Sequence, residues 1–294
     1  LLKDSSLLEE AAHGFAFLRD VCWDRTNGGV YWSVGHDGTP AETLKHTYNQ
    51  AFSVYALSSY YEASGDREAL DLAYRLYDII EGRMRDGSGY REAFDEAFNE
   101  TGNDKLSENG VMASRTMNTL LHVFEAYTEL YRVDRDEKVA EKIKWMMDII
   151  ATKVYNPKLH RQEVFFDDRW QPIIDLHSYG HDIETAWLVD RGLEVLGDDA
   201  CVRRMSPITR DLTEQVYRTA FRDASLANEC ENGVVDDRRI WWVQAETVVG
   251  FLNAYEKTGR GEYLGAARDV WGFIRDHLID RRDGYAAGRE WYWW

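Results

Sequence analysis

The sequence predicts an all-α fold, an (α/α)6 barrel of helical hairpins with short β-hairpin inserts at one end. Apolar residues recur at helical spacing along most of the 294 residues. Several helical segments are apolar over much of their circumference, which indicates burial by neighbours on more than one side. The inserts recur about every 55 to 70 residues, with room for two helices between them. A closed barrel fits this pattern better than an open solenoid, which would need a tighter and more regular repeat.

Eight helices make up most of the predicted structure, and short inserts separate them in pairs. The helices are predicted at 48–63, 67–83, 115–132, 137–153, 183–196, 208–221, 242–257 and 262–278. Short strands or hairpins are predicted at 27–34, 87–94, 160–170 and 283–293. No linker rich in proline, glycine or serine divides the chain, so residues 1–294 are predicted to form a single catalytic domain.

Charge and composition exclude several classes of partner. The formal net charge of −17 repels phosphate backbones, so we expect no nucleic acid partner. No apolar stretch is long enough to span a bilayer, so we expect no membrane partner. Three widely spaced cysteines fit neither a disulfide framework nor a zinc site, and they favour a reducing cytoplasm. We therefore predict a cytoplasmic protein that acts on a small molecule, as a monomer or weak homodimer.

The segment SYGHDIETAWLV, residues 178–189, carries the first candidate catalytic residue. A helix is expected to begin near Asp182, which places His181 at the amino end of that helix. The helix dipole there disfavours the imidazolium, and a neutral histidine is what a general base requires. Glu184 lies on the same helix face and can orient the ring or bind a hydroxyl. The alternative is a histidine that only caps the helix.

The segment RTMNTLLHVFEAY, residues 115–127, places Asn118, His122 and Glu125 on one stripe of a helix that is otherwise apolar. A polar stripe on a buried helix faces either hydrogen-bond partners or a pocket. One such stripe alone favours a satisfied core network. A second histidine segment at His181 shifts the balance towards a site.

Tryptophans beside polar groups mark candidate sugar-binding positions. RIWWVQAETVVGF, residues 239–251, contains Trp241 and Trp242 followed by Gln244 and Glu246. Aromatic faces stack on the apolar faces of pyranose rings, while carboxylates and amides bind the hydroxyls. The alternative is a packed core with a buried polar bridge.

Two further segments offer similar groups, and no metal or cofactor site is predicted. Tyr48 lies at a helix start with Asn49 and Gln50, and Trp291 follows Glu290 near the end of the chain. His177 and His181 are spaced like a metal-binding pair on a helix. We discount that reading because Gly180 is expected to break the helix and no third ligand is evident. No phosphate-binding glycine loop and no GxSxG motif occurs.

The sequence resembles the cellobiose 2-epimerases within the wider acylglucosamine 2-epimerase family. The matching segments are spread over nearly the whole chain in family order: KHTYNQAFSVYALSSYYEASGD, KLSENGVMASRTMNTLLHVFEAYTELY, FFDDRWQPI, SYGHDIETAWL and RIWWVQAETVVGF. YGHDIE followed by WWxQAE is the most specific signal. The resemblance implies an (α/α)6 barrel and cofactor-free chemistry on an open-chain aldose. In that chemistry one histidine removes the C2 proton, and a second returns a proton to the other face of a planar enediolate.

The resemblance also implies roles for individual residues. His181 matches the histidine that removes the proton, while His122 and Asn118 match residues that assist near the reacting carbons. Glu184 and Tyr48 match residues close to the same end of the sugar, and Glu184 is predicted to be catalytic together with His181 and His122. The residues that match those shaping the sugar subsites are Trp241, Trp242, Glu246 and Trp291. Family members continue to a second histidine in a PYHN-like motif, and they begin with a helical hairpin that carries a substrate-binding arginine. Neither is in this sequence, so we expect it to be part of a longer chain.

The activity implied is epimerisation at C2 of the reducing-end glucose of β-1,4-linked disaccharides. Cellobiose would give glucosyl-mannose, and lactose would give epilactose. Four alternatives stay open: a monosaccharide 2-epimerase, an aldose–ketose isomerase of the same superfamily, an (α/α)6 glycoside hydrolase and a non-catalytic sugar-binding protein. A hydrolase would need two carboxylates at hydrolase spacing, whereas the informative stripes here centre on histidines.

Overall fold

A computed structural model describes residues 5–102, 110–281 and 291–292, and that part of the chain is mainly helical. The helices are α1 (Ser5–Phe17), α2 (Thr47–Ser64), α3 (Arg67–Ile79), α4 (Met117–Asp134), α5 (Glu137–Ile149), α6 (Tyr179–Leu196), α7 (Asp199–Thr219), α8 (Trp241–Thr258) and α9 (Gly261–Phe273). All eight predicted helices are present. The predicted starts differ most for α6 and α7, which were predicted to begin at 183 and 208 and begin at Tyr179 and Asp199. Their N-cap residues are Ser178 and Asp198.

The four helices α2, α4, α6 and α8 share one design. Each has 18 residues and ends at a residue in the left-handed conformation whose backbone N–H donates to the carbonyl four residues earlier. That residue is Gly65, Gly197 or Gly259 in three helices, and glycine adopts this conformation without steric cost. In α4 it is Arg135. The second and sixth residues of these helices lie on one face, and several predicted site residues occupy those positions.

A second set of helices ends differently. α1, α3, α5 and α9 each have 13 residues and continue into a five-residue π-helical turn. The turns span Leu18–Cys22, Ile80–Met84, Ile150–Val154 and Ile274–Leu278. The predicted helices therefore ran as far as 83, 153 and 278, because the apolar spacing continues through these turns.

Short antiparallel strands fix where the long helices begin. The strands are β1 (Ser33–Val34), β2 (Pro40–Glu42), β3 (Lys45–His46), β4 (Ala93–Phe94), β5 (Arg115–Thr116), β6 (Tyr155–Asn156), β7 (Arg161–Gln162), β8 (Phe165–Phe166), β9 (Leu176–Ser178), β10 (Phe221–Arg222), β11 (Ser225–Leu226), β12 (Glu229–Glu231) and β13 (Val234–Asp236). β3 pairs with β4, β5 with β8, and β9 with β12, which also pairs with β13. Since β3, β5 and β9 run directly into α2, α4 and α6, the strand register sets the first turn of each helix.

The predicted inserts are only partly matched by these strands. The inserts at 27–34, 87–94 and 160–170 contain β1, β4, β7 and β8. The strands between α7 and α8 were not predicted. The insert predicted at 283–293 lies outside the described residues except for Trp291 and Tyr292.

The chain divides into two compact units. The first comprises the described residues up to Met146 together with Phe165–Gln171, and the second comprises Met147–Val164 and the described residues from Pro172 onward. In the first unit α2 packs against α3 and α4. In the second, α6 packs against α7 and α8, and α8 against α9. The expectation of a single domain stays a prediction. No helix in the described part of the chain is both long and apolar enough to cross a membrane.

Candidate active site

In the first unit, α4 presents His122 at its sixth position. The ring is largely buried, and its Nδ1 lies 2.8 Å from Glu125 Oε2. An ionised carboxylate only accepts hydrogen bonds, so this contact places a proton on Nδ1 of His122. The predicted stripe therefore exists, and its histidine has a carboxylate partner on the same helix.

Aromatic side chains of α2 surround His122. The Tyr48 ring meets it edge-on, with centroids 5.1 Å apart, and the Phe52 ring lies 4.8 Å from it. The structure thus brings Tyr48 and His122 into contact, and their roles at one end of the sugar stay a prediction. Phe52 was missed because an apolar residue on an apolar helix gives no signal of its own.

Asn118 lies one turn before His122 on α4. Its Oδ1 is buried and has no hydrogen-bond partner among the described residues. A buried polar atom without a partner costs stability, and this oxygen keeps the capacity to accept a hydrogen bond. This observation fits the prediction that Asn118 binds substrate.

A buried carboxyl group fixes the start of α4. Glu92 accepts hydrogen bonds from the backbone N–H of Thr116 at 2.6 Å and from Thr119 Oγ1 at 2.7 Å. Thr116 is the N-cap residue and accepts a hydrogen bond from the Thr119 backbone N–H. Burial raises the pKa of Glu92 to about 7, although the bonds from Thr119 and Thr116 oppose the rise. Glu92 was not predicted as a functional residue, because nothing in YREAF indicates that it is buried.

An arginine before α4 supports the same region. Arg115 is almost fully buried, lies over the Trp170 ring at 5.6 Å and donates to Ser88 Oγ at 2.6 Å. It also pairs with Asp86. Trp170 Nε1 donates to the Ser88 carbonyl at 3.1 Å, which ties the insert at 160–170 to the loop after α3. These contacts hold β5, and hence the first turn of α4, in place.

In the second unit, His181 is the third residue of α6. Its Nδ1 lies 2.6 Å from Ser178 Oγ, and its ring packs against Trp242 with centroids 4.9 Å apart. His181 therefore lies near the amino end of the helix, as predicted, whereas its partner Ser178 was not predicted. The available signal was a serine three residues before the histidine, at a position where an N-cap residue is common. Glu184, the sixth residue of α6, is buried on the same side of the helix.

Gly180 lets α8 approach the first turn of α6. A Cβ atom at Gly180 would lie 2.7 Å from Trp242 Cη2, so only glycine fits there without displacing the tryptophan. The prediction that Gly180 breaks the helix was wrong, because it is the second residue of α6. The reason is steric: glycine is required here by a close neighbour rather than by a turn.

The remaining predicted sugar-binding residues lie on or near α8. Glu246 Oε2 accepts a hydrogen bond from Trp187 Nε1 at 2.7 Å. Trp241 is 38% exposed and meets Trp291 edge-on, with centroids 6.2 Å apart. Gln244, which was also considered for sugar binding, is fully buried and bonds both the backbone N–H and the carbonyl of Leu226. For Gln244 the structural interpretation is therefore the one supported.

His177 and His181, which were considered as a possible metal-binding pair, do not lie on one helix. His177 lies in β9, and its Nε2 is 2.8 Å from Asp182 Oδ2. Asp182 Oδ1 accepts from the backbone N–H of Gln162 at 3.1 Å. Within residues 5–102, 110–281 and 291–292, no group of three or more histidine, cysteine or acidic side chains is arranged to hold a metal ion.

The predicted residues thus form one group in each unit. The first unit brings together Tyr48, Asn118 and His122. The second carries His181 and Glu184 on α6, Trp241, Trp242 and Glu246 on α8, and Trp291 against Trp241. Histidines with defined Nδ1 partners, beside aromatic rings and carboxylates, suit proton transfer on a polyhydroxylated substrate.

Known proteins match this chain over nearly its whole length. The model of the N-acylglucosamine 2-epimerase family matches residues 4–292. A cellobiose 2-epimerase from Eubacterium cellulosolvens is 47% identical, and the match covers 99% of this chain and 75% of that protein. The crystal structure of a sugar epimerase from a ruminal bacterium is 46% identical, with a TM-score of 0.96 over 99% of this chain and 74% of that one. The cellobiose 2-epimerase structure from Bacillus thermoamylovorans is 43% identical, with a TM-score of 0.94 over the same shares.

These matches confirm the predicted fold class, an (α/α)6 barrel, and the predicted resemblance to cellobiose 2-epimerases. They also confirm the predicted enzyme class, an isomerase that epimerises a carbohydrate. The chain belongs to the N-acylglucosamine 2-epimerase family.

Proposed function

We propose that the protein epimerises C2 of the reducing-end glucose in β-1,4-linked disaccharides, converting cellobiose to glucosyl-mannose and lactose to epilactose. The relatives named cellobiose 2-epimerase, at 43–47% identity, support the substrate class. The single observation that carries the chemistry is the oriented histidine His181, held at Nδ1 by Ser178 and on its ring by Trp242.

His181 acts as the base in this proposal. The proton on C2 is weakly acidic, because it is alpha to the aldehyde of the open-chain sugar. Its removal needs a positioned base and donors aimed at the developing enediolate oxygen. Nε2 of His181 takes the proton, and the electron pair of the C2–H bond passes into the enediolate. The substrate's own carbonyl accepts that charge, so we expect no cofactor.

The other predicted residues bind or steady the sugar. The family resemblance assigns His122 and Asn118 to the oxygens near the reacting carbons, and the unpaired Asn118 Oδ1 suits a sugar hydroxyl. Tyr48 and Glu184 are assigned to the same end of the sugar. Trp241, Trp242, Glu246 and Trp291 are assigned to the subsites, where tryptophan faces stack on pyranose rings.

Epimerisation also needs a proton on the opposite face of the enediolate. The resemblance assigns that step to a histidine of a PYHN-like motif. The single-domain organisation, the cytoplasmic location and the monomeric or weakly dimeric state remain parts of this proposal.

Proton NMR of cellobiose incubated with the full-length protein tests the activity. We expect 4-O-glucosyl-mannose as the first product, at an equilibrium reached from either sugar. Accumulation of the corresponding ketose instead would favour an aldose–ketose isomerase. Free glucose would favour a hydrolase and contradict the proposal.

A further inference from the structure

Ser178 makes an unusual hydrogen bond at the start of α6. It is the last residue of β9 and the N-cap residue of the helix. A serine at this position ordinarily accepts a hydrogen bond from a backbone N–H of the first turn. The Ser178 side chain makes no such bond, and its Oγ lies instead 2.6 Å from Nδ1 of His181. The hydroxyl therefore serves the imidazole rather than the helix end.

The start of α4 provides an internal reference. Thr116 also ends a short strand and is the N-cap residue of an 18-residue helix. Its hydroxyl accepts the backbone N–H of Thr119 at 3.0 Å, which is the ordinary capping bond. The two helices share a backbone frame but use the N-cap hydroxyl differently. The difference lies in the third helix residue, which is threonine in α4 and histidine in α6.

The position of the Ser178 hydroxyl is tightly restricted. Ser178 pairs with Glu229 in the sheet, and its residue surface is 6% exposed. The imidazole is in turn confined by Trp242, which packs close to the Gly180 backbone. Strand, hydroxyl and tryptophan together fix the plane of the His181 ring.

We propose that Ser178 is a positioning residue for His181. The Ser178 hydroxyl accepts the hydrogen bond from Nδ1–H of His181 and so directs proton transfer to Nε2 of the same ring. This inference rests on the proposed function of His181 as the base. Neutral His181 then carries its proton on Nδ1 and its lone pair on Nε2. Nε2 takes the C2 proton to form the imidazolium, and Nδ1–H still donates to Ser178. The same bond therefore persists in both protonation states of the ring.

The absence of charge on the serine hydroxyl has a functional consequence. Hydrogen bonds to carboxylates are about twice as strong as those between neutral groups, and a carboxylate favours the imidazolium. A base that must lose its proton again before the next turnover is served better by a neutral partner, which orients the ring without stabilising the imidazolium. Ser178 meets that requirement, since its hydroxyl is uncharged throughout.

Three substitutions in the full-length protein test this role. In Ser178→Ala we expect kcat for cellobiose to fall about 10–100-fold with KM changed less than about twofold, because the ring loses its orientation. Ser178→Thr keeps a hydroxyl and should retain kcat within about threefold. Ser178→Asp supplies a carboxylate, so the acidic limb of its pH–rate profile should move to higher pH. Full kcat in Ser178→Ala would overturn the proposal.

Thr116→Ala is the matched control for a purely structural role. It removes a true capping bond, so its melting temperature should fall by about 2–4 °C. Ser178→Ala should lower the melting temperature by less than Thr116→Ala does. Its loss of kcat should nevertheless be larger than that of Thr116→Ala. The reverse ranking, in which Ser178→Ala is the more destabilised and its activity loss follows its unfolding, would contradict a positioning role.

A spectroscopic readout separates this inference from the proposed function. Nitrogen-15 NMR of the histidine side chains, assigned with His181→Asn, reports the protonation of Nδ1 and Nε2 without any substrate. We expect Ser178→Ala to alter the His181 signals and leave those of the other histidines in place. An unchanged His181 signal overturns the positioning role even if the enzyme epimerises cellobiose. A wild-type protein that acts on no sugar, with an altered His181 signal in Ser178→Ala, contradicts the proposed function instead.

Discussion

The first turns of α4 and α6 have the same backbone design but different chemistry. Each helix has 18 residues, follows a short paired strand and begins after a hydroxyl residue, Thr116 or Ser178. In α4 the hydroxyl caps the helix, and the histidine His122 takes a carboxylate partner, Glu125. In α6 the hydroxyl itself is the partner of His181.

This difference shows how a repeated helical unit can acquire distinct functional groups. The frame supplies the same second, third and sixth helix positions each time, and single substitutions at those positions decide what the site contains. The carboxylate partner of His122 carries a charge and can only accept a hydrogen bond, whereas the hydroxyl partner of His181 orients the ring without carrying a charge. We therefore expect the two histidines to respond differently to substitution.

The largest effect is expected from removing the α6 histidine. His181→Asn should lower kcat by about 10²–10⁴-fold, the range typical for loss of a general base. His36→Asn, a change at an exposed histidine, serves as the control and should keep full activity. Steady-state epimerisation of cellobiose measures both. Comparable losses in the two variants would show that His181 has no special role.

A stability effect specific to the start of α4 is expected from Glu92. Because its pKa is raised from 4.5 to about 7 in the folded protein, its contribution to stability is fully present below about pH 4.5. That contribution is lost as the pH rises to about 7, and it amounts to at most about 3 kcal/mol.

Glu92→Gln should remove most of this pH dependence, since the amide imitates the protonated carboxyl. Urea unfolding of both proteins between pH 4.5 and 8 measures the difference. Asp182 is the counterpart of Glu92 at the start of α6. Its buried carboxyl group pairs with a histidine, His177, whereas Glu92 bonds Thr116 and Thr119. Parallel stability curves for wild type and Glu92→Gln would contradict the account of Glu92.

A smaller catalytic effect is expected from the partner of His122. Glu125→Gln replaces a carboxylate, which only accepts hydrogen bonds, with an amide, which can also donate one. The proton of neutral His122 can then lie on either ring nitrogen instead of being held on Nδ1. We expect kcat to fall about 10-fold with little change in KM. Glu129→Gln, on the same helix and paired with Arg132, is the matched control. Equal kcat values for the two variants would remove the case for Glu125.

The smallest effect is expected at Trp241, which meets Trp291 edge-on in the second unit. Trp241→Ala should raise KM for cellobiose about 3–10-fold and leave kcat within about twofold, since one stacking face is lost. Trp271→Ala, which removes an equally large tryptophan that is 50% exposed on α9, should change neither constant. An unchanged KM in Trp241→Ala would place the second sugar elsewhere.

Local patterns allowed most of the helical structure to be predicted from sequence. Apolar spacing located α2 to α9, eight of the nine helices in the described part of the chain, and the stripe of Asn118, His122 and Glu125 followed directly from helical geometry. The prediction extended α3, α5 and α9 too far, because π-helical turns keep the same apolar spacing. Helix starts were less certain, since α6 begins where the pairing of β9 with β12 ends.

Contacts between distant residues were the part that sequence could not supply. Gln244 bonds a backbone 18 residues away, so it appeared free to bind sugar when it is a structural bridge. Gly180 was assigned to a loop, because the approach of Trp242 is invisible in the sequence. Ser178 and Glu92 were missed for a related reason: each depends on the direction of a buried side chain, which no periodicity reveals.

Exchange of the C2 hydrogen in deuterated water tests the central claim most directly, namely that His181 removes that proton. The measurement is NMR of cellobiose incubated with wild type, His122→Asn or His181→Asn. We predict deuterium at C2 of the sugar with wild type, reduced exchange with His122→Asn, and none above background with His181→Asn. Wild-type exchange rates in His181→Asn would contradict the claim.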